Sequence, residues 1–337
     1  RFNFAMSFNL MLFLFFISSL TMFAAGLGAN FEYDLKKVVA FSTLSQLGLM
    51  MSVLALGESV LALFHLLMHA LFKALLFMCA GCMIHNLNDC QDIRYMGSLI
   101  NYIPLTCCFF NICNLALCGL PFLSGFYSKD LILEFMSMGY LNFYVYLIYY
   151  LSTGLTVMYS MRLAYYTLLG DFNCSGFFST VDSGTFMLTG MGGLIFFVLF
   201  FGGLISWIIF PTPYFICLPI FMKLMVLIVM VLGGYIGYVT SNISYTDFSK
   251  PFVFNQFKIM SMLLLNTGYL TTFGVNYFLV WGGKLVLQVD QGWSEYFGSQ
   301  NIYFSIKNSS LFLNKIFSNN LKIFLTLLLI WFCLMII

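Results

Sequence analysis

The sequence predicts an all-α fold: a polytopic membrane helix bundle with one broken helix, followed by extra spans and a surface segment. Three observations predict it. Of 337 residues, 61% are hydrophobic and only 8% charged, where a soluble domain carries about 25% charged residues. A chain this apolar satisfies its backbone in lipid only as helices or as a closed barrel. Its apolar residues fall in long charge-free runs of Leu, Phe, Met and Ile, not in the roughly ten-residue alternation of barrel strands. The formal net charge of +2 says little about partners, and no basic patch suggests nucleic acid.

A membrane helix needs about 20 apolar residues. The first candidate runs from about Ser7 to Gly28, free of charge. A polar loop, Glu32-Tyr33-Asp34-Leu35-Lys36-Lys37, leads to the second, about Val38 to Leu56. Ser42, Thr43, Ser45 and Gln46 near its start read as packing or hydrogen-bonding groups between helices. The third, about Ser59 to His85, carries His65, His69 and Lys73 and exits through Asp89, Asp92 and Arg94. The fourth segment, about Ile103 to Met138, would be roughly 54 Å long as one helix, against a hydrocarbon core of about 30 Å. It contains Gly119, Pro121 and Gly125. Proline removes a helix donor and glycine lets the chain bend, so a break is expected near residues 118–125. A loop between two helices, with Lys129 and Asp130 at the headgroups, is the plainer alternative.

The fifth helix is expected from about Leu141 to Leu169, with Arg162 reaching the interface. A sixth spans about Thr185 to Ile209, and a seventh about Pro219 to Thr240, with Lys223 snorkelling near its start. The prolines 211, 213 and 219 mark the turn between them. Beyond Ser241 the chain mixes Asn, Ser, Gly, charges and aromatics, which suits a surface or amphipathic segment. A short apolar helix, about Lys322 to Ile337, closes the chain as an anchor. If the first five helices alternate, Lys36, Lys37, Arg94 and Arg162 share one side, and Lys250 and Lys258 follow on it. The positive-inside rule assigns that side to the matrix or cytoplasm.

The ten cysteines are scattered and mostly sit inside apolar runs. Cys79-Ala-Gly-Cys82 has redox or metal spacing, but no second pair completes a tetrahedral site, and small residues in membrane helices serve close packing. The chain begins with Arg1 and shows no signal-peptide pattern, so it is expected to be the C-terminal part of something longer, or to have its start elsewhere.

His65, His69 and Lys73 fall at i, i+4 and i+8. Successive steps of four turn about 40°, so the three form one stripe. Titratable groups on a membrane helix must face protein or water. Histidine exchanges protons near neutral pH unaided. Lysine does so when desolvation or a neighbouring cation lowers its pKa, whereas arginine stays charged. The mid-membrane cations here, Lys73 and Lys129, are both lysines. Asp130 and Glu134 stand close enough in sequence to hold charge near Lys129. The stripe therefore reads as part of a proton path. Hydrogen-bonded packing is the bland alternative, and a zinc pair at His65 and His69 is disfavoured by the cation at Lys73 and by the lack of an intervening carboxylate.

Three stretches carry a resemblance. Asp34-Leu35-Lys36-Lys37-Val38-Val39-Ala40-Phe41-Ser42-Thr43-Leu44-Ser45-Gln46-Leu47-Gly48 is the first. His65-x3-His69-Ala70-x2-Lys73-Ala74 is the second. Gly119-x-Pro121-x3-Gly125-Phe126-Tyr127-Ser128-Lys129-Asp130 is the third. Together they resemble the subunit-5 family of mitochondrial NADH:ubiquinone oxidoreductase, respiratory complex I, in an arthropod-type version; Asp290-Gln291-Gly292-Trp293 is similar to that family's C-terminal region. The resemblance implies a proton-translocating, antiporter-like membrane-arm subunit of the mitochondrial inner membrane, driven by quinone reduction elsewhere. It implies two inverted five-helix repeats, each with a broken helix. Residues 1–170 would be the second repeat, 171–241 two further helices, 242–318 a lateral helical segment and 319–337 the C-terminal anchor.

On the same basis the proton relay comprises Lys73, His69, His65, Lys129 and Asp130, with Glu134 and Lys37 as accessory candidates. The family's first repeat, with its own carboxylate and lysine, has no counterpart here. No cofactor or metal is expected on this chain; FMN and iron–sulfur clusters would sit elsewhere in the complex. Implied partners are other membrane-arm subunits, above all the adjacent antiporter-like one, and lipid. A subunit of a cation/proton antiporter complex is the alternative reading, and a structural membrane scaffold a third.

Overall fold

The computed structural model describes residues 5–138, 143–174, 180–182, 184–242, 267–319 and 321–336. It divides into two units, Arg1–Leu265 and Asn266–Ile337. All regular structure among the described residues is helical.

The first unit is built from α1 (Phe8–Phe31), α2 (Leu35–Ala55), α3 (Ser59–Asn86), α4 (Pro104–Cys118), α5 (Ser124–Met138), α6 (Phe143–Ala164), α7 (Thr185–Ile209) and α8 (Ile220–Asn242). Helices α1, α2, α3, α7 and α8 are each long and apolar enough to cross a membrane. The fourth segment is broken, as expected. α4 and α5 have 15 residues each, roughly 22 Å apiece, so neither alone spans a bilayer core of about 30 Å. Pro104 opens α4 at a position where its missing donor costs nothing. Gly119 ends it with φ +89°, a left-handed cap that a side chain resists. Pro121 lies in the connecting turn, and α5 restarts at Ser124.

Two apolar clusters hold this unit together. One joins Phe64, Met68, Phe72, Leu75 and Cys79 of α3 to Phe110 and Cys113 of α4 and to Met191, Ile195 and Val198 of α7. The other joins Met22, Leu49, Leu61, Ile132, Leu133, Tyr149, Val226 and Met230. Where α6 and α8 cross, the helices approach backbone to backbone: a Cβ on Gly233 would lie 2.5 Å from the Gly154 carbonyl oxygen. Small residues permit such contacts, and in lipid they supply much of the association energy. Gly233→Ala is expected to separate the pair at a cost of about 1–3 kcal/mol, read as a lower Tm of the purified protein in detergent; an unchanged Tm contradicts this contact.

The basic loops are knitted together. Leu35 N donates to Gln91 O and Ile93 N to Tyr33 O, both at 2.9 Å. The Tyr33 ring lies against the guanidinium groups of Arg94 (4.4 Å) and Arg162 (4.8 Å). Arg162 departs from the sequence reading. It is buried, 6% exposed, and its guanidinium donates to the carbonyls of Asn30 and Glu32 rather than reaching the interface. The last carbonyls of α1 lack partners within their own helix and carry its negative dipole end, so the cation satisfies both. Burial raises the Glu32 carboxyl above its ordinary range, with Lys37 and Arg162 opposing. Partial burial would raise Asp92 too, but Arg94, donating to both its oxygens, holds it low.

In the second unit, α9 (Thr267–Leu285) passes through wide helical turns at Val286–Ser294 and Tyr296–Gln300 into α10 (Asn301–Asn319). The result is a helix on the order of 75 Å long. Gly274, Gly282 and Gly283 do not interrupt it. After a bend of 107° follows α11 (Leu321–Ile336). None of the described side chains of this unit is buried within it. Lys250, Lys258 and the start of the expected 242–318 segment lie outside the described residues.

Candidate functional site

The stripe on α3 points inward. His65, His69 and Lys73 are 1%, 8% and 4% exposed, and Lys129 on α5 is 3% exposed. Lys73 lies in the middle of α3, and its Nζ donates to Ser42 Oγ of α2. His65 Nδ1 is 2.9 Å from Ser128 Oγ of α5, and its Nε2 is 3.2 Å from Gln46 Oε1 of α2. Because an amide oxygen only accepts, this arrangement puts the proton of neutral His65 on Nε2; Nδ1 faces the Ser128 hydroxyl, which also reaches the Gly125 carbonyl at 3.3 Å. His65 thus ties three helices at one point.

Lys129, one residue beyond Ser128, reaches the break itself. Its Nζ donates to Thr156 Oγ1 of α6 at 2.8 Å and to the Leu117 carbonyl at 3.4 Å. Leu117 lies in the last turn of α4, where carbonyls have no onward helical partner and the dipole's negative end gathers. The broken helix therefore supplies the buried amine with one acceptor, the Leu117 carbonyl, that an intact helix would have used up. Among the described residues the ion pairs are Lys37–Asp34 at 2.7 Å and Arg94–Asp92 at 2.5 Å, both in the basic loops. Neither Lys73 nor Lys129 belongs to one. The hydrogen-bond partners of both amines are neutral oxygens, and Asp130 adds a carboxyl group that acts on Lys129 through space.

The structure does not bring every nominated residue into this group. Asp130 does not accept from Lys129: neighbours on a helix point about 100° apart. Its Oδ1 is buried without a hydrogen-bond partner. Glu134 is partly buried one turn further on. Lys37 is exposed and paired with Asp34 in the first turn of α2. His69 stands between the other two members of the stripe, yet its Nε2 has no hydrogen-bond partner. Its ring lies 6.3 Å from that of His65 and meets the edge of Phe72 at 5.3 Å. Cys79 is buried with its Sγ 3.6 Å from Met191 Sδ.

Ser42 and Gln46 were expected to pack or hydrogen-bond between helices, and they do bond across to α3, but sequence did not say that Lys73 and His65 would be their partners. Ser128, Thr156 and the Leu117 carbonyl carried no signal of their own. The plane of Gly119, Gly125 and Pro121 was legible as a break, but not that it would deliver a carbonyl to Lys129.

A bundle of membrane-crossing helices, with one helix broken beside a buried row of lysines and histidine, defines a class: polytopic membrane proteins with an antiporter-like fold. The solved Mrp complex from Dietzia sp. shares that fold, with a TM-score of 0.52 at 17% identity, covering 68% of this chain and 49% of the Dietzia chain. Residues 1–156 match the family model described as NADH:quinone oxidoreductase/Mrp antiporter, TM, and residues 159–337 match NADH dehydrogenase subunit 5 C-terminus. The chain belongs to the NADH dehydrogenase subunit 5 family. It is 52% identical to NADH-ubiquinone oxidoreductase chain 5 of Anopheles quadrimaculatus over 95% of this chain and 56% of that protein. With the Locusta migratoria chain 5 the identity is 49%, over 94% and 55%; with that of the seal Phoca vitulina it is 38%, over 76% and 41%. The chain thus spans about half the length of the curated relatives it matches.

Proposed function

We propose that this chain is the proton-translocating part of a membrane-arm subunit of NADH:ubiquinone oxidoreductase, in the mitochondrial inner membrane, moving protons through a buried lysine–histidine relay. The observation that carries this is the seating of Lys73 and Lys129 in the bundle interior on neutral oxygens, with His65 and Ser128 between them. An amine so placed can release a proton from Nζ and later recover one. A serine hydroxyl passes a proton by donating its own as it accepts another, and imidazole does the same between Nδ1 and Nε2. Water bridges the remaining gaps. Discharging one lysine alters the electrostatic field at the next site, so the two titrate as a coupled pair.

In this reading helices α1 to α6, with α4 and α5 as one broken span, are a five-helix antiporter-like repeat over residues 1–170. The chain carries no redox cofactor; oxidation of NADH and reduction of quinone occur on other subunits. The second unit buries none of its described side chains, which suits a lateral helix lying along neighbouring membrane-arm subunits. A second reading, a subunit of a cation/proton antiporter complex, is favoured by the shared family model over residues 1–156 and by the Dietzia likeness. Sodium-dependent exchange without quinone reductase activity would select it.

The test is Lys73→Met in the full-length chain within its complex, with proton uptake into vesicles driven by NADH as the readout. Methionine keeps the length and removes the exchangeable group. Proton uptake is expected to fall by about 100-fold, the scale of a lost acid–base group. Wild-type uptake would leave only a scaffold role.

A further inference from the structure

The amine of Lys129 sits in a closed circuit of contacts between α4, α5 and α6. Its Nζ donates to the Leu117 carbonyl of α4 at 3.4 Å and to Thr156 Oγ1 of α6 at 2.8 Å. The next residue of α4 is Cys118, whose Sγ lies 2.8 Å from Ser160 Oγ of α6. Ser160 stands one turn beyond Thr156, so the two hydroxyls share a face of α6. The circuit therefore runs from Lys129 through Leu117 to Cys118, across to Ser160, along α6 to Thr156 and back to the amine. Cys118, Thr156 and Ser160 are 6%, 4% and 2% exposed. Ser160 directs its one hydroxyl proton to the Val157 carbonyl at 2.8 Å, an arrangement that makes the Cys118 thiol the donor to Ser160 Oγ. The longest link is the one from Lys129 to Leu117, already near the limit for a hydrogen bond. Leu117 and Cys118 are the last two residues of α4, with the left-handed Gly119 directly after them, and a helix end frays where nothing outside it holds it. The Gly125 contact braces Ala116 against α5; the thiol braces the end of α4 against α6.

We infer that Cys118 and Ser160 are positioning residues for Lys129: their contact holds the end of α4 against α6, which keeps the Leu117 carbonyl within reach of the amine. The thiol does not itself carry the transported proton, because its hydrogen bond is to Ser160. It acts through the main chain, one residue away from the carbonyl it positions. With the contact gone, a shift of a few tenths of an ångström takes Leu117 out of range of a bond that is already 3.4 Å long, and Thr156 is left as the amine's hydrogen-bond partner. The hold of Lys129 on its proton then changes. Asp130 on α5 and His65 on α3 also act on this amine through space, and the substitutions below alter neither. This inference rests on the proton-path reading and adds to it what keeps one acceptor in place.

The experiment uses the full-length chain in its complex. The readout is NADH-driven proton uptake per assembled complex across a range of pH, with Lys73→Met as reference. Cys118→Ala removes the donor. It is expected to lower uptake about fivefold, the scale of one lost hydrogen bond, and to move the pH of half-maximal uptake by about half a unit, a threefold change in proton affinity. Cys118→Ser keeps a donor, and its oxygen still reaches Ser160 because the present contact is short; uptake within about twofold of wild type is expected. Ser160→Ala removes the acceptor and should match C118A. The double variant should fall no lower than the weaker single, since both remove the same contact. A pair that only packs α4 on α6 would lower the amount or Tm of the complex, leaving uptake per complex and its pH profile unmoved. Wild-type uptake with an unmoved profile in C118A, no recovery in C118S, or additive losses in the double variant overturns the inference. If C118A does not accumulate, S160A decides by the same two readings. Should K73M itself transport normally, the underlying proton-path reading fails; if K73M is dead and C118A is normal, only the role of the pair fails.

Discussion

Lys129→Arg is expected to stop proton transport as completely as Lys129→Met, both by about 100-fold or more, while the complex still assembles. The pair separates two roles that a single substitution confuses. Arginine keeps the positive charge and can still donate toward Thr156 and the Leu117 carbonyl, but it does not give up its proton. Methionine keeps the length and loses the charge; replacing a buried charge by an apolar group of similar volume is often neutral for stability. If Lys129 served only as a fixed counter-charge for the end of α4, K129R would transport and K129M would not. If it served only to fill space, both would transport. Loss in both, with normal amounts of the assembled complex, requires an amine that discharges. The measurement is the initial rate of NADH-driven proton uptake into vesicles. Transport by K129R within twofold of wild type would refute discharge at this site.

Much of this architecture could be read from the chain. Membrane spans follow from charge-free length, and the break between α4 and α5 follows from Gly119, Pro121 and an apolar segment too long for one crossing. The two lysines stand out because any cation at that depth does. The partners are harder, for a physical reason. A hydroxyl on a membrane helix bonds a carbonyl of its own preceding turn, and Ser42 does this to Val39 at 2.7 Å while also accepting from Lys73. In sequence the two uses are indistinguishable. Thr156 is the same case, donating to Thr153 while accepting from Lys129. Arg162 misled because its partners are main-chain carbonyls at the end of α1, about 130 residues away, and carbonyls leave no trace in a side-chain pattern. Asp130 was expected to hold charge near Lys129, and it acts on that amine through space without a hydrogen bond, because neighbours on a helix point about 100° apart. Periodicity says which face of a helix is polar, but not which helix that face will meet.

Gly125→Ala should be the most damaging small substitution in the bundle. A Cβ at this position would lie 1.8 Å from the carbonyl oxygen of Ala116, so the first turn of α5 runs directly against the last turn of α4, backbone on backbone. Neither side can yield by a rotamer change. The helices must separate by an ångström or more at the one place where the chain turns between them, at a cost of at least about 3 kcal/mol, the upper end for overpacking. Gly119→Ala makes the control. Its φ of +89° disfavours a side chain, but the nearest atom to an added Cβ is Lys129 Cδ at 3.6 Å, an ordinary contact. That change should cost only about 1–2 kcal/mol of left-handed strain. Thermal unfolding of the purified protein in detergent should rank G125A well below G119A, and equal Tm values would show that the α4–α5 contact is not tight. The functional consequence differs as well. Ser128 and Lys129 lie one turn along from Gly125, and the Leu117 carbonyl lies one residue from Ala116. Prising the two half-helices apart therefore lengthens the 3.4 Å contact from Lys129 to Leu117 and moves Ser128 relative to His65, so residual protein of G125A should fail in proton uptake even where it is folded. G119A, which leaves those distances in place, should retain most of its uptake per assembled complex.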